Sequence, residues 1–266
     1  MNWDSIQDII NLEAIDKVES SFLNAKPFPF AVIDNFFKDN IALELEKEFP
    51  EFDESVWHEY NNPLEIKKTC NDWNKFKSTT YNLFRFLNNQ NFIELLQSKL
   101  MLDYKLFPDP GLNGGGWHIH KSGGKLNTHL DYSLHPKMNL QRRINLIIYI
   151  NRNWKTEWNG SLGFWGNESS EAPGDLIESI DCMFNRAVIF DTSQNSWHGL
   201  PEPVVCPDGE YRKSLAIYYL SQPSINMSDR GKALFSPSKD QEGSAEIEEL
   251  IKLRAGTKSA EDVYKK

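Results

Sequence analysis

Apolar positions along this 266-residue chain follow two different periods. In the first hundred residues the dominant spacing is helical. Residues 1–25 read as helix, "DNIALELEKEFP" as an amphipathic helix closed by Pro50, and "NLFRFLNNQNFIELLQSKLM" as helix with a break at "NNQN". A single strand, "PFAVIDNFF", interrupts them. From about Leu112 the period shortens to two. "GWHIH", "KLNTHLDY", "RINLIIYI", "SLGFW", "AVIFD" and "RKSLAIYYL" each alternate or run apolar over a few residues and are separated by Gly, Pro and Asn.

Six or more short strands at this spacing predict a sandwich or barrel, and short connections favour antiparallel pairing. The expected fold is therefore mainly β with helical support, a jelly roll packed by N-terminal helices. Residues 1–105 would form the support, 106–222 the core, and 223–266 a charged tail. In that tail, from about Asp229, "SAEIEELIKLR" reads as a solvated terminal helix. Eight Trp and an aromatic share of 12% suit such a packed body, and Trp117, Trp165 and Trp197 are expected in its core.

Charge narrows the function. The formal net charge is −9, and no basic patch stands out, so nucleic acid is not the expected partner. Three scattered cysteines form no CxxC pair, which points to a reducing, cytoplasmic setting. No stretch approaches the ~18 apolar residues of a membrane span, and the N-terminus lacks the basic start and apolar run of a signal peptide.

The chemistry gathers in "THLDYSLHP". On a strand, His129 and Asp131 share one face, so two ligands at i and i+2 can converge on one point. His-x-Asp alone is equally a hydrogen-bonded pair. His198, in "SQNSWHGLPEP" after the apolar strand "AVIFD", is the best third ligand. Two imidazoles and a carboxylate without a thiolate suit non-haem iron(II), whereas structural zinc prefers a fourth ligand. Arg212 and Ser214 in "EYRKSLAIYYLS" form a second i, i+2 pair, able to hold a carboxylate or to sit in a rim salt bridge.

The ordered set His129-x-Asp131, His198 and Arg212-x-Ser214 resembles the 2-oxoglutarate- and iron(II)-dependent dioxygenases, in particular the prolyl 4-hydroxylase-like branch. The likeness covers roughly residues 113–221 and includes "GGGWHIHKSGGKLNTHLDY", "WNGSLGFW", "FNRAVIFDTSQNSWHG" and "EYRKSLAIYY". It implies a double-stranded β-helix core, with Fe(II) on His129, Asp131 and His198. It also implies 2-oxoglutarate with its far carboxylate on Arg212 and Ser214, dioxygen as co-reactant, and ascorbate as an auxiliary reductant. The expected outcome is hydroxylation of an unactivated C–H of a peptide, a prolyl residue among the candidates, or of a small molecule such as a free amino acid or sugar. Asp131 matters here, because related halogenases carry a small residue in its place. A non-catalytic 2-oxoglutarate- or metal-binding jelly roll, and a cupin-like hydrolase or isomerase, are the competing readings.

The remaining side chains are weighed individually. His118 and His120 share a face of "GWHIH". His118 and Asn145 are candidates for the cosubstrate pocket, and His120 is expected to satisfy a neighbouring strand. Regular alternation in "RINLIIYI" would put Asn145 beside Arg143, Ile147 and Tyr149. Lys213 points away from Arg212. His135 reads as a loop residue near the mouth, and His58 carries no expected role. The loop "YSLHPKMNLQRR", with Lys137, Arg142 and Arg143, is the expected substrate-facing segment.

Overall fold

A computed structural model describes residues 3–18, 21–169, 171–192, 195–225, 227 and 230–256. Residues 1, 2, 19 and 20 of the first expected helical stretch, the start of the tail at Asp229 and everything past 256 lie outside these residues. Within the N-terminal stretch, helix forms only as short turns, α1 (Ile6–Ile9) and α2 (Leu12–Ile15), rather than one continuous element. The amphipathic segment forms α3 (Asp39–Glu48). The next forms α4 (Ser78–Leu87) and α5 (Gln90–Lys99), broken at Asn88 and Asn89 as the "NNQN" pattern predicts.

Two antiparallel sheets follow. The larger contains β1 (Phe30–Ile33), β2 (His58–Asn62), β3 (Glu65–Cys70), β4 (Gly116–His120), β5 (Lys125–Leu126), β7 (Gln141–Tyr149), β10 (Ala187–Asp191) and β12 (Arg212–Ser221). Its order is β1-β10-β7-β12-β4-β3-β2, with β5 on β3. The smaller runs β13-β6-β11-β8-β9, from β6 (His129–Leu130), β8 (Leu162–Ser169), β9 (Ala172–Ile180), β11 (His198–Gly199) and β13 (Leu234–Phe235). Five of these strands escape the sequence pattern, the two-residue β11 and β13 among them. The β2–β3 hairpin, "HEYNN" and "EIKKTC", is polar on both faces, and β9 is exposed over most of its length. The hairpin turn is fixed instead by Asn62, whose Oδ1 accepts the N–H groups of Leu64 and Glu65.

The period of two now has a physical reading. Along β12, Leu215, Ile217 and Tyr219 pack outward against Leu83, Phe84, Leu87 and Phe92 of α4 and α5. Arg212, Ser214, Ala216 and Tyr218 face inward and line a cavity between the sheets. The same split runs along β4, with Trp117 and Ile119 in the core and His118 and His120 in the cavity. A second apolar cluster, with Phe28, Phe164, Val188 and Phe190, closes one end of the space between the sheets.

Two expectations are corrected. The C-terminal segment is not a solvated tail. It supplies β13, and α6 (Ala245–Gly256) packs Ile247 with Leu64 and Phe235. Gln241 ties it in further, accepting from Asn127 Nδ2 at 2.6 Å and donating to the Pro63 carbonyl at 2.7 Å. Trp165 is only half-buried, because β8 leaves the core after Phe164, while Trp117 and Trp197 are buried as expected.

Asn185 joins the N-terminal support to the core. It is buried, has φ 59°, and exchanges two side-chain hydrogen bonds of 2.9 Å with the backbone of Phe37. Asn185→Ala strands both Phe37 groups and puts a Cβ without local compensation in the left-handed region. The expected loss is about 3 kcal/mol in urea unfolding, with unchanged slope. A loss below about 0.5 kcal/mol, the level of an ordinary surface substitution, would show that this junction carries no stability.

Candidate active site

His129 and His198 meet across one antiparallel pair, directly opposite each other on β6 and β11. Gly199 permits this approach, since a Cβ there would lie 2.9 Å from backbone atoms of Leu126, Asn127 and Thr128. Asp131 follows two residues after His129, and the three side chains offer ligand atoms all within 4.8 Å of one another. All three are buried.

Their protons are fixed by neighbouring carbonyls. His129 Nδ1 lies 2.9 Å from the Asn127 carbonyl, and His198 Nδ1 lies 2.8 Å from that of Ser196. A carbonyl only accepts, so each Nδ1 carries the ring proton and each Nε2 presents a lone pair. Those Nε2 atoms stand 3.8 Å and 3.7 Å from the Asp131 oxygens, beyond hydrogen-bonding distance. Asp131 Oδ2 has no hydrogen-bond partner. Burial pushes His129 down to about 3, helped by His198, and also lowers His198. Protonation therefore does not relieve the clash at neutral pH. Three acceptors converge on a point with no donor between them among the described residues, an arrangement that a divalent cation would stabilise. Two imidazoles and one carboxylate fit ferrous iron and leave adjacent positions open.

Behind these residues lies a cavity of about 400 Å³. Arg212, buried at its inner end, donates from Nε to the Gly160 carbonyl at 2.6 Å, and its Nη2 is 3.4 Å from the Tyr149 hydroxyl. Gly160 has φ +82°, and a Cβ would press on Arg212 Cδ at 2.9 Å, so glycine is required for this contact. Ser214 stands beside Arg212 on the cavity face, whereas Lys213 turns outward to within 5.4 Å of the Phe49 ring. The wall also carries His118 Nε2, both ring nitrogens of His120, and Asn145 Oδ1, all buried without hydrogen-bond partners. Burial, first of all, lowers His118 to about 3 and His120 well below its usual value, so both are neutral. The expectation for His120 is thus overturned: its ring satisfies no neighbouring strand and faces the cavity. Orphaned polar groups around a buried guanidinium fit a dicarboxylate with a further oxygen.

One residue was missed because alternation fails locally. A bulge on β7 sets Tyr219 opposite Ile144 but Leu220 opposite Arg142, leaving Arg143 as the extra residue. Arg142, rather than Arg143, therefore joins Asn145 and Ile147 on the cavity face. Arg143 pairs outward with Asp191 at 3.1 Å. Arg142 is sandwiched between the rings of Tyr132 and Tyr218, 3.5 Å from each centroid, and donates to the Asn113 carbonyl. Its Nη1 lies 3.5 Å from Asp131 Oδ1. Burial pushes the Asp131 carboxyl up, but the Arg142 guanidinium and a hydrogen bond from the Tyr218 hydroxyl help to hold it below its usual range.

The expected substrate-facing loop is a tight knot instead. His135 is buried at its centre, with Nδ1 accepting from the Lys137 and Met138 N–H groups and Nε2 2.8 Å from the Asn113 amide nitrogen. Past Asp131 the segment reaches the cavity through Tyr132, Pro136 and Arg142 only. The mouth is built elsewhere, by the β2–β3 hairpin and the C-terminal segment. Glu65 pairs with Lys67 at 3.1 Å and with Arg254 of α6. Arg254 lies 4.4 Å from the Phe235 ring, and Phe235 stacks on His129 at 5.0 Å. Burial raises Glu65, but Lys67 and Arg254 outweigh it and hold the carboxyl at about 2.

Comparison with known proteins agrees with this geometry. Residues 115–248, half of the chain, match the model of the 2OG-Fe(II) oxygenase superfamily. Over 78 residues the chain is 31% identical to Prolyl 3-hydroxylase OGFOD1 of Xenopus laevis, a match spanning 29% of this chain but only 15% of that protein. Among solved structures, a prolyl hydroxylase of Trichoplax adhaerens, in complex with a hypoxia inducible factor oxygen degradation domain peptide fragment, superposes with TM-score 0.55 at 17% identity. That superposition covers 79% of this chain and 92% of the other. A prolyl-4-hydroxylase of Pseudomonas putida gives TM-score 0.54 at 13% identity, covering 79% and 100%. At such identities these two structures establish the fold, the double-stranded β-helix that the family resemblance implies and the jelly roll expected from the strand pattern. With the converging His-Asp-His cluster and the matched segment taken together, the chain belongs to the 2OG-Fe(II) oxygenase superfamily.

Proposed function

We propose that this protein is an iron(II)- and 2-oxoglutarate-dependent hydroxylase acting on an unactivated C–H bond, with a prolyl residue of a peptide as the preferred target. The observation that carries the reading is the proton-free convergence of His129 Nε2, His198 Nε2 and Asp131 Oδ2. In this reading His129, Asp131 and His198 hold iron(II), and Arg212 with Ser214 holds the far carboxylate of 2-oxoglutarate. When bound, the pair would let dioxygen act as the oxidant, one oxygen atom entering succinate as 2-oxoglutarate loses carbon dioxide and the other entering the substrate C–H.

The chain's own part is positional. The carbonyls of Asn127 and Ser196 keep both ligand histidines in the binding tautomer. Arg142 steadies Asp131 from one side and leaves Oδ2 open. Tyr149 and Gly160 hold the Arg212 fork at the inner end of the cavity, and Phe235 shields one face of His129. Asp131 favours hydroxylation over halogenation, because it occupies a position that halide would need. Arg212 counts against a cupin-like hydrolase, which has no need to anchor a dicarboxylate. The peptide preference rests on similarity to prolyl hydroxylases. Three buried free cysteines support a reducing, cytoplasmic setting.

Incubation with iron(II), ascorbate, oxygen and 2-oxoglutarate tests the reading. Proline-containing peptides, free amino acids and a metabolite extract are each followed by mass spectrometry. The expected result is one added oxygen on peptide prolines, matched by succinate. Oxygen gained only by free small molecules would overturn the peptide target, and no succinate in any arm would overturn the enzyme.

A further inference from the structure

The cavity is basic in an acidic protein. Lys67, Arg142, Arg212, Lys232 and Arg254 line it against only Glu65 and Asp131, leaving three positive charges in excess, while the chain as a whole carries −9. Burial keeps His118 and His120 neutral, so they do not alter that balance. Iron(II) and 2-oxoglutarate, at +2 and −2, cancel each other. An excess of this size in a largely buried space favours an incoming anion.

The cations differ in their commitments. Arg212 is bound to Gly160 and Tyr149 at the inner end. Arg142 is clamped between two tyrosine rings and faces Asp131. Arg254 is bound to Glu65 and lies over Phe235. Lys67 is different. Its ammonium has three donors, with Glu65 Oε2 taking one at 3.1 Å and the Tyr60 ring 5.3 Å away, and its side chain keeps 13% exposure, while Lys232, also partly exposed, sits on the C-terminal segment away from β4 in sequence. It projects from β3, whose neighbour β4 carries His118 and His120. It lines the same cavity as His118, His120, His129 and His198. Glu65, shared with Arg254, holds the lysine in place without neutralising the group.

We infer that Lys67 is a substrate-recognition residue that binds a carboxylate near the C–H to be hydroxylated, so that the protein selects acidic substrates. This deepens the hydroxylase reading and rests on it. The carboxylate has two sources, an Asp or Glu side chain close to the target residue of a peptide, or the carboxylate of a free amino acid.

The test measures binding with redox-inert Mn(II) and 2-oxoglutarate present, so that no turnover is needed. Fluorescently labelled peptides share one central proline and differ only in their flanks, which carry Glu, Gln or Lys. Free proline and free glutamate compete as unlabelled ligands. The Glu peptide is expected to bind at least about tenfold tighter than the Gln peptide, or the free amino acids to bind at least about tenfold tighter than their amides. Lys67→Gln should remove that preference, and Lys67→Glu should reverse it toward the Lys peptide. Reversal is a gain that misfolding does not produce, and melting temperatures verify both variants. Equal binding of the three peptides with no preference for free acids over amides, or a preference that survives Lys67→Gln, would overturn the proposal. Absence of binding by every ligand would also overturn it. The visible band of iron(II) with 2-oxoglutarate, recorded separately without peptide, tells failure of this inference from failure of the hydroxylase reading.

Discussion

His198→Ala is expected to abolish the visible metal-to-ligand charge-transfer band that forms when iron(II) and 2-oxoglutarate are added without oxygen. Three acceptors define the site, and His198 supplies one of the two nitrogen donors. Losing a partner that merely orients a ligand costs metal sites about 10–100-fold in affinity, so losing the ligand itself should cost more than about a hundredfold. One control bears on the cause. His129 opposes His198 in register, so the vacated space opens beside it without removing any backbone pairing. Thermal unfolding without metal should therefore shift little. A variant that keeps the full-intensity band would remove His198 from the metal site and with it the reading of Asp131 Oδ2 as an open ligand.

Arg212→Ala is expected to weaken 2-oxoglutarate while sparing iron. The guanidinium is buried, and an anion bound to it would be desolvated as well, so truncation should cost about 2–4 kcal/mol. That is roughly a thirtyfold to thousandfold rise in the apparent KM for 2-oxoglutarate. Arg212→Lys keeps the charge but loses the Nε bond to Gly160 and the planar fork, and should fall between the two. An unchanged KM in Arg212→Ala would move the anchor elsewhere. Lys213 is a poor alternative, since it lies on the opposite face near Phe49.

The metal ligands and Arg212 were legible in sequence because they obey a local rule. Arg212 and Ser214 are an i, i+2 pair on β12, and His129 with Asp131 is another that begins on β6 and ends just past it, so extended backbone puts each pair on one face. Arg142 was hidden for the converse reason. One bulge shifted the period by a residue and exchanged it with Arg143. The mouth was illegible because its parts are polar and distant in sequence. "EIKKTC" has no apolar alternation to mark it as a strand, and the helix carrying Arg254 has the composition of a solvated one. Only their meeting at Glu65 gives either a role. His120 misled because a buried imidazole usually finds a partner, and here both ring nitrogens are left open toward the cavity.

The inward and outward alternation of β4 and β12 also bears on how this protein can change over generations. Positions that touch the cavity and positions that hold the sheet to its helices are neighbours in sequence yet almost independent in energy, since they lie on opposite faces. Drift at Ala216 or Tyr218 can remodel what the cavity admits while Leu215, Ile217 and Tyr219 keep the scaffold standing. The hairpin and C-terminal segment meet at the end of the sheet in a small cluster of their own, Leu64 with Phe235 and Ile247, and Glu65 adds a charge bridge to Arg254. A lineage built this way can try new substrates by exchanging its rim while its iron chemistry stays untouched, and descendants of one ancestor would then differ most where Lys67 and Arg254 now stand.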